Sequence, residues 1–237
     1  MTHKQFLRLN NLFHLHEFFR FLHAIQKNTF TFVSREMDLL RQHIKPGEVY
    51  RRSDLEYYST AIDRHLATLT KDGTLIKLNQ GLYYAPKQSK FGVVPPDDRQ
   101  VVERFLKDED FLLVSPNTFN SLGLGLTQLY NTTWVYNHKR KGEFQLNGKT
   151  FEFKLKSSFP KIITREYLLV DLLNNIEDLA EDQSQTLDKL PNNINSFNAD
   201  ALMKVTQLYG NGKTKRKLKS IVRNVFKHGI IGQIEKK

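Results

Sequence analysis

Four residues at helical spacing carry the chemistry that stands out in this chain: Thr60, Arg64, Thr68 and Lys71. Among them Ile62, Leu66 and Leu69 recur at i, i+4 and i+7, the spacing of a buried stripe, so the four polar side chains belong on the opposite face. A guanidinium such as that of Arg64 can chelate O6 and N7 of guanine, and the Thr60 hydroxyl can bond a phosphate or meet a thymine methyl. Ser59 stands beside Thr60 at the start of this helix, and His65 borders its polar face. Asp63, next to Arg64, dilutes the positive potential. Downstream, Lys77, Asn79 and Gln80 form a polar turn between two short apolar runs. Upstream, Arg51, Arg52 and Ser53 lie where a helix N-terminus can clamp a phosphate. The residue types fit contact with double-stranded DNA.

The elements expected to position them follow from the punctuation. Ser34 caps a helix with Met37, Leu40 and Ile44 inward, ended by Pro46-Gly47. Val49-Tyr50 is extended, and Ser53 caps a very short helix from Asp54 to Tyr57. Ser59 or Thr60 caps the third helix, which stops at Asp72-Gly73. Residues 74–78 and 81–84 then make a hairpin. Helix, strand, short helix, longer helix and hairpin is the order of a winged helix-turn-helix, whose third helix enters the major groove.

The expected fold class is α+β. A winged helix-turn-helix domain spans 34–90, preceded by a helical extension over 1–33 and followed by an α/β C-terminal domain over 91–237 that ends in a basic helical tail. In the extension, Leu12, Leu15, Phe19 and Leu22 form one apolar stripe and Phe18, Phe21 and Ile25 another. A helix apolar over so wide an arc packs on the body or pairs with a second copy, as in a homodimer. Residues 85–96, with three of the 7 prolines, read as a linker. Beyond a helix over 97–107, Trp134-Val135-Tyr136 reads as a strand. Asn147-Gly148 marks a second hairpin, whose Phe151, Phe153 and Leu155 are expected on a buried face and Glu152 and Lys154 on a wet one. Residues 166–176 form a helix, 177–200 show only weak periodicity, and 201–226 form a last helix or pair.

Charge sharpens the reading. The net charge of +11 is concentrated in residues 204–237, which hold 10 basic residues against 1 acidic, and secondarily in 1–90. Lys213, Lys215, Arg216, Lys217, Lys219, Arg223 and Lys227 ride on helical apolar spacing, as a second surface for phosphates, RNA or an acidic protein. The chain has no cysteine and no apolar run near the roughly 20 residues that span a bilayer, so neither disulfides nor a membrane segment are expected. With no secretory signal pattern at Met1, a cytoplasmic location is expected.

Catalytic signals are weak. His14 and His16 diverge by about 200° on a helix, and His16 and His23 are ~10 Å apart, too far to share an ion. Gly123-Leu-Gly125 lacks the third glycine of a dinucleotide fingerprint. Asp97-Asp98 and Asp108-Glu109-Asp110 sit at helix ends, where carboxylates suit the dipole or solvent. No catalytic residue, metal site or cofactor is expected, and the chain reads as a non-enzyme.

The residues carry a resemblance. Gly47-Glu-Val-Tyr50, the run from Ala61-Ile-Asp-Arg64 to Asp72-Gly-Thr-Leu75, and Gly81-Leu-Tyr-Tyr-Ala-Pro-Lys87 are similar to the winged-helix domain of AbiEi-type antitoxins, transcriptional regulators of prokaryotic type IV toxin–antitoxin systems. The similarity continues through Phe91-Gly92, Pro95-Pro96, Ser115-Pro-Asn-Thr-Phe-Asn-Ser-Leu-Gly-Leu124, Thr127-Gln128 and the hairpin at 143–155. It covers about residues 34–178, with a fainter echo over 201–222, and leaves 1–33 outside. The resemblance implies a repressor that binds the operator of its own operon, and a C-terminal domain that counteracts a nucleotidyltransferase-like toxin. The competing reading of the residues is a protein- or RNA-binding module in which the winged helix serves interaction rather than DNA reading.

Overall fold

The computed structural model describes residues 35–234, with side chains through residue 225. The expected helix in 1–33, its histidines, the pairing through it and the Ser34 cap lie outside the described residues. The fold is α+β, and the chain divides into two compact units, Met1–Phe105 and Leu106–Lys237.

In the first unit, helix α1 (35–43) leads through Gly47, at φ +93, to strand β1 (Val49–Arg51). Short helix α2 (Arg52–Leu55) runs into a 3-10 turn (Glu56–Tyr58), and α3 (Ile62–Lys71) follows. Strands β2 (Ile76–Asn79) and β3 (Leu82–Tyr84) complete an antiparallel sheet of order β1-β3-β2. Leu40, Leu55, Leu66, Leu69 and Leu75, each at most 1% exposed, form the core with Tyr50, Ile62 and Ala85. The inward positions expected on α3, Ile62, Leu66 and Leu69, are buried, and so is Leu40 on α1; Met37 is only partly buried, and Glu36 and His65 join the buried set.

Three local expectations change. Ser53 lies inside α2 rather than capping it: Arg51 holds the cap position, and its N–H donates to the Asp54 carboxylate at 2.9 Å. Neither Ser59 nor Thr60 caps α3, whose cap position is Ala61. Residues 85–96 are more than a linker, because they contain a two-stranded ribbon, β4 (Lys87–Ser89) and β5 (Gly92–Val94). The ribbon has almost no buried side chain, which is why its pattern reads as loop. The Tyr84 hydroxyl donates to the Val94 carbonyl at 2.7 Å and ties the ribbon to β3. Helix α4 (Asp98–Leu106) follows.

The second unit holds a four-stranded sheet of order β6-β7-β9-β8, formed by Phe111–Val114, Thr132–Asn137, Lys149–Leu155 and Gly142–Leu146 respectively. β7 and β9 are parallel, and the other two pairs are antiparallel. The β8–β9 turn places Asn147 and Gly148 at φ +52 and +72, the left-handed conformations that this dipeptide adopts cheaply. Helices α5 (Arg165–Asn175), α6 (Gln183–Asn193), α7 (Ala199–Tyr209) and α8 (Gly212–Ile234) complete the unit. α6 falls in the segment whose periodicity is weak; its two buried residues, Thr186 and Leu190, leave little apolar pattern to read. Among the described residues no helix is long and apolar enough to cross a membrane.

The expectation of one buried and one wet sheet face fails. Phe151 and Phe153 are buried as expected, but Leu155, at the end of the strand, is 54% exposed, and Trp134 and Tyr136 on the other face are buried too. The Lys154 ammonium lies 3.9 Å from the Trp134 ring centre, and that of Lys156 lies 3.5 Å from the Tyr136 ring centre. Asp171 on α5 is fully buried and accepts from Lys156 Nζ at 2.7 Å, the Tyr136 hydroxyl at 2.8 Å and Asn175 Nδ2 at 3.1 Å. Burial pushes the Lys156 pKa below the ordinary lysine value, against the opposing pull of Asp171. Removing one partner of such a pair strands the other. Asp171→Ala is therefore expected to destabilise the second unit by about 3–5 kcal/mol, read from the urea unfolding midpoint. A midpoint within experimental scatter of the parent would show that the network carries no stability.

Candidate nucleic-acid interface

α3 presents Asp63, Arg64, Ala67, Thr68 and Lys71 to solvent. Arg64 and Lys71 make no ion pair with any described residue. Thr68 is exposed, and its hydroxyl donates to the Arg64 carbonyl at 3.0 Å. Thr60 is exposed at the entry to the helix, and its hydroxyl donates to Glu36 on α1 at 3.0 Å.

Ser59 and His65 are elsewhere. They are 5% and 2% exposed, and Ser59 Oγ lies 2.7 Å from His65 Nδ1, with Ser59 also donating to Glu36. Both therefore leave the contact surface and join a polar knot that ties the approach to α3 onto α1. Sequence spacing puts His65 three residues after Ile62 and three before Thr68, at the boundary of the buried arc, and burial decides the matter.

Arg51 and Arg52 are not open cations. Arg51 pairs with Asp54 at 2.9 Å. The Arg52 guanidinium grips Asp63 with Nε at 2.7 Å and Nη2 at 2.9 Å, while Nη1 reaches Glu56 at 2.7 Å. Those hydrogen bonds, Asp63 first, raise the Arg52 pKa above the ordinary arginine value and hold Asp63 below the ordinary carboxylate value. The Arg52 backbone N–H donates to the Gly81 carbonyl at 2.9 Å. One residue therefore contacts both the first turn of α3 and the β2–β3 turn. In that turn Gln80 is exposed, its N–H donating to Asn79 Oδ1, and Lys77 is exposed on β2. Ser53 is exposed on α2.

Two residues of this surface escape a reading by residue type. Asp63 looks like dilution of charge until its Arg52 partner, 11 positions earlier, is known. Tyr83 on β3 reads as a strand residue, yet its phenol, half-buried, is pushed up in pKa by burial and by the nearby Asp63 carboxylate. Tyr57, 90% exposed, also lies on this unit, edge-on to Tyr58, which in turn stacks on His43.

In the second unit the basic tail is ordered. Thr214 and Leu218 are buried, and Ile221, Val222 and Val225 pack on the core, so Arg216, Lys217, Lys219 and Arg223 on α8 are exposed. Lys215 is half-buried, and Lys213 is exposed with its ammonium 2.8 Å from Glu177. Lys227 lies beyond the described side chains. Gly123 and Gly125, at φ +73 and +78, form a tight loop, with Glu181 accepting from the Thr127 and Gln128 N–H groups. Asp108 and Asp110 pair with Lys139 and His138. Among the described residues no three His, Asp or Glu side chains gather closely enough to hold a metal ion.

No model of a known protein family matches the chain, and no curated protein matches its sequence. Among solved structures it is similar to the crystal structure of the Rv2827c protein from Mycobacterium tuberculosis, at TM-score 0.52 and 14% identity, over 82% of this chain and 77% of that one. The likeness is one of fold alone.

The Asp54 carboxylate yields a test of how α2 is held. Burial raises its pKa, but hydrogen bonds from the Arg51 N–H and guanidinium outweigh this and leave it below the ordinary carboxylate value. Its contribution to stability is thus fully present above the unfolded-state pKa of about 4 and is lost as pH falls through the lower folded value. Asp54→Asn should lower the thermal midpoint at pH 7, and the gap to the parent should close by about pH 2. A gap independent of pH would assign the effect to something other than this charge.

Proposed function

We propose that residues 35–84 form a winged helix-turn-helix that binds double-stranded DNA, with α3 as recognition helix and the β2–β3 hairpin as wing. The observation that carries this reading is the convergence at Arg52: the exposed first turn of α3 and the β2–β3 turn both contact that one residue. A recognition helix reads bases with its N-terminal residues, and a neighbouring wing reaches the backbone or minor groove. The order of elements, the inward Ile62, Leu66 and Leu69, and the exposed Arg64, Thr68 and Lys71 all support it. The similarity of 34–178 to AbiEi-type antitoxins extends the proposal: a repressor of its own operon, acting in the cytoplasm against a nucleotidyltransferase-like toxin. A protein- or RNA-binding module is the second reading, favoured by the carboxylates that occupy Arg51 and Arg52.

A gel shift against the DNA upstream of the chain's own gene separates the two readings, and two substitutions locate the contacts. Arg64→Ala should cost about 1–3 kcal/mol of discrimination between specific and random duplexes, the worth of a bidentate base contact. Lys77→Ala should weaken binding to all sequences alike. Equal loss on specific and random DNA for Arg64→Ala would show that α3 does not read bases.

The tail is assigned to a second phosphate-binding surface. Neutralising Lys215, Arg216 and Lys217 together should flatten the slope of log affinity against log salt by about 2.7, since each phosphate contact releases counterions worth roughly 0.9 in slope. An unchanged slope with lost toxin neutralisation would move the tail to the antitoxin function. An unchanged slope with nothing else lost would make it a solvated face.

A further inference from the structure

Asp63 is a carboxylate in the middle of a surface proposed to meet phosphates, and its surroundings give it a task. It is the second residue of α3, on the turn that faces base edges if α3 is a recognition helix. Its side chain is 76% exposed. Both its oxygens are gripped from one side, by Arg52 Nε at 2.7 Å and Arg52 Nη2 at 2.9 Å. Arg52 is itself fixed at two further points, Glu56 and the Gly81 carbonyl. Each carboxylate oxygen has two acceptor positions, and the arginine fork uses one on each. The others remain open to solvent, in an orientation set before any ligand arrives.

We propose that Asp63 is a base-reading residue whose carboxylate, oriented by Arg52, accepts a hydrogen bond from the N4 amino group of a cytosine in the major groove. This deepens the DNA-binding reading and rests on it. Three features support the assignment. Arg52, shared with Glu56, offsets part of the charge that would otherwise repel the phosphates, so the carboxylate approaches the groove at reduced cost. The same pairing keeps Asp63 ionised, and an ionised carboxylate only accepts. In the major groove guanine and thymine edges show acceptors, which such a group repels, whereas cytosine shows the N4 donor. Adenine also has an amino donor, but its N7 acceptor sits beside it and faces the second carboxylate oxygen. Cytosine carries C5–H in that place, so its own edge sets no acceptor against the second oxygen, and it is the base that fits. Arg64, the next residue, supplies the complementary donors for guanine O6 and N7. Asp63 and Arg64 together offer both halves of the major-groove signature of G·C pairs.

Asp63 also suits the positive end of the helix dipole, and that role alone would leave base preference untouched. Selection from a randomised duplex library with the full chain separates the two. The parent should enrich sites with a cytosine at one position. Asp63→Ala should lose about tenfold of the preference there while keeping it at other positions. Asp63→Asn should shift that position toward adenine, which an amide can bond at N6 and N7. Arg52→Lys keeps the charge but removes the fork, and it should blur the cytosine preference alone; this marks Arg52 as a positioning residue. Circular dichroism melts confirm that each variant folds. An unchanged profile for Asp63→Ala, with tighter binding to every sequence, would overturn the proposal and reduce the carboxylate to a source of repulsion. A parent chain that enriches no sequence at all would instead sink the DNA-binding reading, and this one with it.

Discussion

The burial of Ile62, Leu66 and Leu69 fixes the rotation of α3 about its own axis, and every outward-facing residue of that helix depends on it. Each is at most 4% exposed, and burying such a side chain contributes about 1.5–3 kcal/mol. A turn of one residue, about 100°, would carry Asp63 or Ala67 into the core and lift a leucine into water. Against that cost the polar contacts are fine adjustment. The Glu36–Ser59–His65 knot fixes where the helix begins, and the Arg52 fork fixes how its first carboxylate is aimed.

The second unit is organised around a different constraint. Asp171 sits in the core of a helix-covered sheet, and three neighbours satisfy it: an ammonium, a phenol and an amide. A buried ion pair of this kind adds little net stability compared with apolar packing, but it tolerates few alternative arrangements. It sets the register of α5 against β7 and β9, because Tyr136 and Lys156 must both meet one carboxylate. The Tyr136 phenol is pushed far above its ordinary pKa by burial and by that charge, so it acts only as a donor to it.

Periodicity and turn residues made much of the fold legible. The apolar spacing of α3, the Asp72-Gly73 stop, the β2–β3 hairpin and the Asn147-Gly148 turn all depend on local rules that single residues reveal. The losses have physical causes too. The β4–β5 ribbon has no buried face, so nothing in its pattern alternates. α6 buries only two side chains, and Lys154 and Lys156, at and just after the end of β9, lie over aromatic rings, a contact that hydropathy does not record. At the candidate interface, residue type proposed a set of cations and hydroxyls. It could not say that Arg51 and Arg52 are engaged by carboxylates, that Ser59 and His65 turn inward, or that Asp63 is aimed outward. Those outcomes depend on partners far away in the chain.

The order of strands in the four-stranded sheet has a consequence for assembly. β9 lies between β7, its parallel neighbour, and β8, its antiparallel one. β8 and β9 are joined by a two-residue turn, so they can close within microseconds as a local hairpin. Their pairing leaves one edge of β9 open, and β7 can dock only there. β7 pairs in turn with β6, from which the 3-10 segment Pro116–Leu122 and a loop of glycines separate it. The parallel β7–β9 pairing at the centre of the sheet therefore cannot be completed until the chain has been made through residue 155, long after β7 itself.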